Sequence, residues 1–304
     1  MPAQELAKKL DIINSVLPID QILNRQSAEP KEVSRYYNKN RLAYRIFNSK
    51  NGFVHMGISQ NDVFSEQDFY AQGDLVSESV VALKAKNILE LAPGKAATTT
   101  YLANKFPACT FYCIDLPHGQ FSGSTKAPNI VPSFGDYHDL SEYKDNSMDV
   151  VYVIEALCHA ANKEKVIREV FRVLKSGGHF IVIDGYYSDT LTEHSEAEIT
   201  AMRLVAKSMM VTDTDQTYDY FLSCLTRAGL FIIKRSNYSK NILPSLRRLE
   251  RLASRFFKRP RIARLVTYIT GDIVTANAAA GYLMPYCIEN NLFEYQYTLA
   301  VKQF

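Results

Sequence analysis

The sequence predicts an α/β fold in which a mostly parallel sheet is covered by helices on both faces. From residue 85 onward, short and continuously apolar segments alternate with amphipathic ones, which is typical of strands buried between two helical layers. In the segment 163–174, apolar residues recur at helical spacing on one face. The chain has 304 residues, of which 47% are hydrophobic, so it can bury a large core. We therefore expect a doubly wound sheet.

Six apolar segments are predicted as strands, and Asn162 and Gly177-Gly178 are predicted to begin and end the helix at 163–174. In sheets of this type, ligands bind outside the carboxyl ends of the strands. The predicted strands are 87–91, 109–114, 129–134, 148–154, 179–183 and 231–233.

The segments outside this alternation are predicted to form a mainly helical cap. Leu6, Leu10 and Ile13 recur at helical spacing, and a second helical pattern covers 30–47. Methionines in the insert 186–220 suit either core filling or the wall of an apolar pocket. The predicted division is 1–79 for the N-terminal cap, 80–240 for the core with its insert at about 186–220, 241–291 for a helical lid, and 292–304 for a final strand of the core.

Composition excludes several functional classes. The net charge of +3 is too small to indicate a nucleic-acid-binding protein. The five cysteines are scattered without a CxxC motif, so we expect no disulfide framework, no metal site and a cytoplasmic location. Lys8, Lys9 and Asp11 interrupt the apolar pattern of residues 1–17, unlike the apolar centre of a signal peptide. The pattern favours a soluble globular protein.

Acidic residues lie at the predicted ends of the first four strands: Glu90, Asp115, Asp136 and Glu155. A carboxylate after the second strand can accept hydrogen bonds from both hydroxyls of a ribose. Asp136 is followed by Tyr137, a pair suited to an exocyclic amine and the face of a base. The first strand leads into a tight turn and a helix N-terminus, whose unpaired amides can face a ligand.

These segments resemble the class I S-adenosylmethionine-dependent methyltransferases over about 85–234. ILELAPGKA resembles the glycine-rich first motif of that family, FYCIDLP its ribose-binding strand end, and GDYHDLSEYKDNSMDVVYVIEALCHA its third and fourth strands. LFEYQYTLAVKQ, at 292–303, resembles the antiparallel last strand. The resemblance implies a Rossmann-like sheet of seven strands and S-adenosyl-L-methionine as the cofactor.

The resemblance also implies a role for each residue of the cofactor site. Glu90 and the backbone of the turn would hold the methionine part, Asp115 the ribose, and Asp136 the adenine amine. Ala92 and Ala96 stand where the family usually has glycine, and a methyl group at Ala92 narrows the approach of the ligand. The implied cofactor residues are Glu90, Leu91, Ala92, Gly94, Asp115, Leu116, Gly135, Asp136, Tyr137 and Ile154.

Within the family, IEALCHA at 154–160 is similar to sterol C-methyltransferases and to bacterial relatives that methylate isoprenoid chains. FVHMGIS at 53–59 matches loosely, and the aromatic, glycine-rich sterol motif is absent at 38–49. The resemblance implies C-methylation of an isoprenoid or other lipid-like acceptor, such as a prenyl diphosphate or a prenylated metabolite. No DDxxD motif occurs, so magnesium is implied only if the acceptor is a diphosphate.

The predicted catalytic residues are Tyr36, Tyr37, Glu155 and His159. If carbon is the nucleophile, a carbocation forms and needs aromatic faces, a carboxylate and a base. If oxygen or nitrogen is the nucleophile, Glu155 or His159 would act as general base, so an O- or N-methyltransferase of a small secondary metabolite is the alternative. His159 also fits a purely structural role. A non-catalytic, cofactor-binding scaffold remains open, whereas the missing GxGxxG motif disfavours a dehydrogenase.

The segment 245–264 holds eight basic residues and one acidic residue. Leu246, Leu249 and Leu252 share one helical face, and arginines occupy the other. Three interpretations stay open: a helix packed on the core or on another subunit, a helix on a membrane surface, or arginines that hold an anionic group such as a diphosphate over the pocket. The expected partner is a small apolar or amphiphilic substrate, while contact with a membrane through 245–264 and with a second subunit both stay open.

Overall fold

The structure is a computed structural model that describes residues 3–25, 29–117, 127–189, 193–211 and 216–303. The side chains of 45–47 are outside this description. All statements below concern the described residues.

A seven-stranded sheet forms the centre of the molecule, in the order β3-β2-β1-β4-β5-β7-β6. Neighbouring strands pair in parallel, except that β7 is antiparallel to both β5 and β6. The predicted fold class and the antiparallel last strand are confirmed. The strands are β1 Asn87–Leu91, β2 Thr110–Asp115, β3 Ile130–Phe134, β4 Met148–Ile154, β5 Leu174–Tyr187, β6 Leu230–Asn237 and β7 Phe293–Lys302.

The helices fall into two sets, one that covers the sheet and one that forms a cap. Short 3₁₀ turns at Glu66–Tyr70 and Leu157–His159 accompany them. The helices are α1 Ala3–Val16, α2 Ile19–Leu23, α3 Pro30–Phe47, α4 Ala71–Ala82, α5 Ala97–Lys105, α6 Lys163–Val173, α7 Glu196–Ser208, α8 Tyr218–Arg227, α9 Ser239–Phe257, α10 Pro260–Thr270 and α11 Asp272–Glu289.

The sheet is buried on both faces because its strands are apolar at successive positions. Ile88 packs on one face in a cluster with residues of α4, α5 and α9. Leu89, the next residue, packs on the other face in a cluster with residues of α6 and α8. This arrangement accounts for the continuously apolar strands, since neither face is exposed to water.

The cap has its own apolar cluster, built from α1, α2, α7, α9, α10 and α11. Helix α11 packs against both α7 and α9. Helix α4 crosses residue 79, the predicted end of the N-terminal cap. It packs against β4 and β5 of the sheet.

The helix predicted at 163–174 agrees with α6 to within one residue, and Asn162 caps it by accepting a hydrogen bond from the Lys165 amide, but Gly177-Gly178 do not end it. The helix ends at Val173, and Leu174 already pairs with Met148 as the first residue of β5. The Lys302 ammonium, from β7, donates to the Leu174 carbonyl oxygen at 2.8 Å and so compensates one carbonyl at the helix end. Gly177 has φ +75°, and the pairing of β4 with β5 shifts register nearby, so the glycines belong to an irregularity inside the strand.

Candidate functional site

The strand register brings the ends of the first four strands together at one edge of the sheet. Leu91 pairs with Ile114 on one side and with Val153 on the other. Asp115, in turn, pairs with Phe134. The residues that follow these pairs therefore lie at the same edge of the sheet, as predicted for the acids at the strand ends.

The turn between β1 and α5 is built from left-handed residues. Ala92, Gly94 and Ala96 have φ of 53°, 58° and 55°. A left-handed alanine costs roughly 1–3 kcal/mol, and such strain concentrates at functional sites. A Cβ atom on Gly94 would lie 2.9 Å from a methyl group of Val54. Glycine adopts this φ without strain, and the close approach of Val54 leaves no room for a methyl group at Gly94 unless the Val54 side chain shifts.

Asp115, at the end of β2, fixes that turn. One of its oxygens accepts from the Gly94 amide at 3.0 Å, and the other accepts from the Leu116 amide at 2.7 Å. Burial raises the pKa of Asp115 to about 6, against the effect of the two backbone bonds. The carboxylate is ionised at pH 8 and lines the cavity described below.

Asp136 and Tyr137 follow β3 and form the next part of the site. Asp136 accepts from the His138 amide at 2.9 Å and from His138 Nδ1 at 2.5 Å. Burial opposes ionisation, but the bonds from His138 hold the pKa of Asp136 below its usual value. The Tyr137 hydroxyl donates to the Ala156 carbonyl oxygen at 3.0 Å, which fixes its ring at the cavity wall.

Glu155 follows β4 in a left-handed conformation, with φ 47°. One of its oxygens accepts from the Met56 amide and from the Tyr295 hydroxyl, both at 2.7 Å. Burial raises the pKa of Glu155 to about 7, despite these two donors. Glu155 therefore combines a pKa near neutral pH with a strained backbone at the cavity wall. These properties suit it to act as a base.

His159 is held between the cap and the core. Its Nδ1 lies 2.9 Å from the Met210 carbonyl oxygen, and its Nε2 lies 2.9 Å from the Tyr37 hydroxyl. Because a carbonyl oxygen only accepts, the network assigns the proton to Nδ1, and Tyr37 then donates to Nε2. Burial lowers the pKa of His159 to about 4, so the ring is neutral at physiological pH.

These groups surround one cavity of about 1550 Å³, including the open space at its mouth. The core contributes the strand ends, and the cap contributes residues of α3, α7 and α11. Five carboxylates line the cavity, and none of the described lining residues is lysine or arginine. The five are Asp115, Asp136, Glu155, Asp184 and Glu294.

Most of the predicted site residues lie at this cavity. Those that line it are Tyr37, Ala92, Gly94, Asp115, Leu116, Asp136, Tyr137, Ile154, Glu155 and His159. Those that are not among its lining residues are Tyr36, Glu90, Leu91 and Gly135.

The four residues outside the lining contact other parts of the protein. Glu90 is buried in the core, where Thr99 and Tyr152 donate to its carboxylate, and burial raises its pKa to about 7. Leu91 is fully buried in the apolar cluster between the sheet and α6. Tyr36 turns away from the cavity, and its hydroxyl donates to Asn277 at 2.6 Å. A Cβ atom on Gly135 would lie 2.9 Å from Ile114, so glycine allows close packing there.

Sequence reasoning missed several residues of the cavity wall. Asp184 lies in β5 and is buried, and it accepts from the Cys158 amide at 3.0 Å. It directly follows the predicted fifth strand, so the pattern of acids at strand ends applies to it as well. Tyr44, Tyr295 and His55 also line the cavity. No local sequence signal marks Tyr295, because the pairing of β7 with β5 places it there.

Within the described segments, no cluster of three or more histidine, cysteine, aspartate or glutamate side chains is arranged to hold a metal ion. None of their helices has both the length and the apolar character needed to cross a bilayer.

The comparisons with known proteins identify the class of domain. Residues 89–182 match the family described as a methyltransferase domain. The matched segment includes Asp115, Asp136 and Glu155. The chain therefore contains a methyltransferase domain of the S-adenosylmethionine-dependent class, and the predicted class, enzymatic nature and cofactor are confirmed at that level.

Two curated relatives represent two kinds of methyl acceptor. Sterol 24-C-methyltransferase of Saccharomyces cerevisiae is 39% identical over 61 residues, which are 20% of this chain and 16% of that protein. Ajmaline N-methyltransferase of Rauvolfia serpentina is 23% identical over 222 residues, which are 70% of this chain and 74% of that protein. The match to the first relatives, sterol methyltransferases, spans a fifth or less of their length.

Solved structures share the fold over most of this chain. The (4+2)-cyclase SpnF has a TM-score of 0.70 at 18% identity, covering 92% of this chain and 98% of its own. Geranyl diphosphate C-methyltransferase from Streptomyces coelicolor, solved with Mg²⁺, geranyl diphosphate and S-adenosyl-L-homocysteine, has a TM-score of 0.62 at 11% identity, covering 90% of this chain and 97% of its own. These similarities establish the fold. The reaction depends on the residues of the site.

Proposed function

We propose that this protein transfers the methyl group of S-adenosyl-L-methionine to a carbon atom of an uncharged, isoprenoid-like acceptor. The observation that carries the proposal is the acidic lining of the cavity, which has five carboxyl groups and no described lysine or arginine. Such a cavity attracts a positively charged sulfonium and stabilises positive charge that develops on an acceptor during the reaction.

The cofactor half of the cavity is assigned to the strand ends. Asp115 offers oxygens at the end of β2, where a ribose binds in folds of this type, and Tyr137 offers an aromatic ring beside Asp136. The turn at Ala92 and Gly94 brings backbone close to the ligand. This assignment supports binding of the adenosyl group along the sheet edge, with Ile154 and Glu155 beside the reactive end.

The acceptor half of the cavity is apolar and aromatic. Its wall includes Met209, Met284, Ile288, Phe293 and Tyr295, from the cap and β7. Methionine side chains adapt to flexible apolar ligands, and tyrosine faces stabilise cations. A chain of alkene or methyl-branched units fits these surroundings.

The lack of a described cationic lining residue disfavours a diphosphate acceptor. Two of the arginines in 245–264 are engaged elsewhere: Arg247 pairs with Glu289, and Arg248 donates to the Asn48 carbonyl oxygen and stacks on Phe64. A diphosphate in this cavity would meet carboxylates with no described cationic side chain beside them, which costs several kcal/mol unless a bound metal ion supplies the charge. We therefore narrow the acceptor from prenyl diphosphates to uncharged isoprenoids.

The residues of the chain have distinct roles in this reaction. A bound cofactor would supply an electrophilic methyl group. The alkene carbon would bond to it as its bond to sulfur breaks, which would release S-adenosyl-L-homocysteine and leave a carbocation on the acceptor. Glu155, ionised above about pH 7, stabilises that charge and accepts the departing proton. Tyr37, held by His159, presents its oxygen and ring to the same space.

A second candidate is N-methylation of an amine. It is favoured by the similarity to ajmaline N-methyltransferase over 70% of this chain, and the carboxylates would also hold a protonated amine. The position of the new methyl group separates the two candidates, since fragmentation in mass spectrometry locates it on carbon or on nitrogen.

The proposal is tested with a matched pair of acceptors, a prenyl alcohol and the diphosphate of the same alcohol. The protein is incubated with S-adenosyl-L-methionine and each acceptor, and products are measured by mass spectrometry. We expect a gain of one CH2 unit on carbon of the alcohol, with kcat/KM at least about tenfold higher than for the diphosphate. Preference for the diphosphate, or methylation of amines alone, would contradict the proposal.

A further inference from the structure

Helix α10 exposes its large apolar side chains and turns Ala263 and Thr267 toward the cap. Ile262, Leu265, Tyr268 and Ile269 are 52%, 58%, 89% and 71% exposed. Ala263 is fully buried against the cap, and the Thr267 hydroxyl bonds within the helix and to Thr275. This arrangement is the reverse of that of an ordinary surface helix, which turns its apolar side inward.

The four exposed side chains form one continuous surface, which we call the α10 face. At 100° per residue, Ile262, Leu265, Tyr268 and Ile269 lie within about one third of the helix circumference. Single exposed apolar residues are normal on protein surfaces, whereas a contiguous set marks a site of interaction. The α10 face is therefore a docking surface.

The charge around the α10 face is positive. Residues 255–271 contain five basic residues and no acidic residue. The five are Arg255, Lys258, Arg259, Arg261 and Arg264, all exposed. No carboxylate of the described chain forms an ion pair with them, and Arg264 donates to the Ser15 carbonyl oxygen. The surface therefore keeps its positive charge.

The neighbouring helix α9 does not provide this surface. Its leucines point inward, with Leu246 fully buried and Leu249 half-buried against the core. Of the three interpretations of 245–264, packing on the core thus describes α9. The exposed apolar residues lie one helix later.

We propose that the α10 face docks the protein on an anionic lipid bilayer. Apolar side chains flanked by basic ones are the pattern of a helix lying in the membrane interface, where the apolar residues enter the acyl boundary and the cations meet the headgroups. A second copy of this chain is disfavoured as the occupant, because a two-fold contact through the α10 face would bring like charges together. The surface is independent of the methyl-transfer proposal.

The test is co-sedimentation of the full chain with vesicles of phosphatidylcholine alone or of equal parts phosphatidylcholine and phosphatidylglycerol. We expect binding to the anionic vesicles that weakens with salt. The double variants Leu265→Ser/Ile269→Ser and Lys258→Glu/Arg261→Glu each reduce the partition coefficient by about tenfold or more. The matched controls Val81→Ser, exposed on α4, and Lys165→Glu/Arg168→Glu, exposed on α6, bind as the unchanged protein does.

Circular dichroism checks that each variant is folded. We expect all of them to fold, because exposed positions tolerate polar residues. Absence of binding to anionic vesicles would overturn the proposal, as would binding that the α10 variants do not weaken. Self-association that the α10 variants abolish, without vesicle binding, would assign the surface to a second copy instead.

Discussion

At the scale of single residues, the site is marked by backbone strain and by buried carboxylates. Ala92, Ala96 and Glu155 all adopt left-handed conformations that cost energy for a residue with a side chain. All three lie at the same edge of the sheet, in the turns after β1 and β4. Such strain is retained when the surrounding structure requires it, and here it shapes the turn and directs Glu155 into the cavity.

Glu155→Gln should reduce turnover by about 10²–10⁴-fold while S-adenosyl-L-methionine affinity changes far less. Glutamine can still accept from Met56 and Tyr295, but it carries no charge and takes up no proton. Because burial raises the pKa of Glu155 to about 7, kcat of the unchanged protein should rise with pH through that value. The measurements are a pH profile of kcat and calorimetry of cofactor binding.

Glu196→Gln, in the exposed first turn of α7, is the control and should leave both quantities unchanged. Equal losses of turnover and cofactor affinity in Glu155→Gln would place Glu155 on the cofactor rather than on the acceptor.

At the scale of elements, helix α3 connects the cap with the site. The Ser34 hydroxyl donates to the Pro117 carbonyl oxygen just after β2, and Tyr37 reaches His159 after β4. Adjacent tyrosines on α3 thus have different positions, since Tyr37 faces the cavity and Tyr36 packs against Asn277 of α11. Substitutions of Tyr36 and Tyr37 can therefore be compared directly, because the two residues are neighbours on one helix.

Tyr37→Phe should lower kcat by about tenfold or more, because the variant leaves His159 Nε2 without its donor and removes an oxygen from the acceptor space. Tyr36→Phe should retain kcat and lose about 0.5–1.5 kcal/mol of unfolding free energy with its hydrogen bond. Steady-state kinetics and urea denaturation measure these effects. If Tyr36→Phe lost turnover and Tyr37→Phe kept it, the cavity assignment of α3 would be wrong.

At the scale of the whole molecule, the pattern of apolar segments was sufficient to predict six strands of the sheet, whereas the seventh, antiparallel strand followed from the resemblance to the methyltransferases. Strands β1 and β4 have the predicted limits, because a buried parallel strand is apolar throughout and ends at a turn. The start of β5 was not predictable locally, since Leu174 continues the helical pattern and becomes a strand only through pairing with Met148.

The site was predicted best where it depends on strand ends. Asp115, Asp136 and Glu155 follow from that rule, and all three line the cavity. Glu90, one residue before the end of β1, is not among the lining residues. Its side chain points to the opposite face of the sheet from Leu91 and contacts Thr99 and Tyr152. The contributions of Tyr44, Tyr295 and His55 depend on tertiary packing, which local patterns do not encode.

The central claim is that the acidic edge of this sheet binds an adenosyl sulfonium, and calorimetry of S-adenosyl-L-methionine at pH 8 tests it most directly. Asp115→Asn retains an oxygen for the Gly94 or Leu116 amide but removes the charge. We expect binding weaker by about 1–3 kcal/mol, roughly tenfold to a hundredfold. Asp62→Asn, at an exposed position, should bind as tightly as the unchanged protein. Unchanged affinity in Asp115→Asn, or no binding by the unchanged protein, would contradict the account.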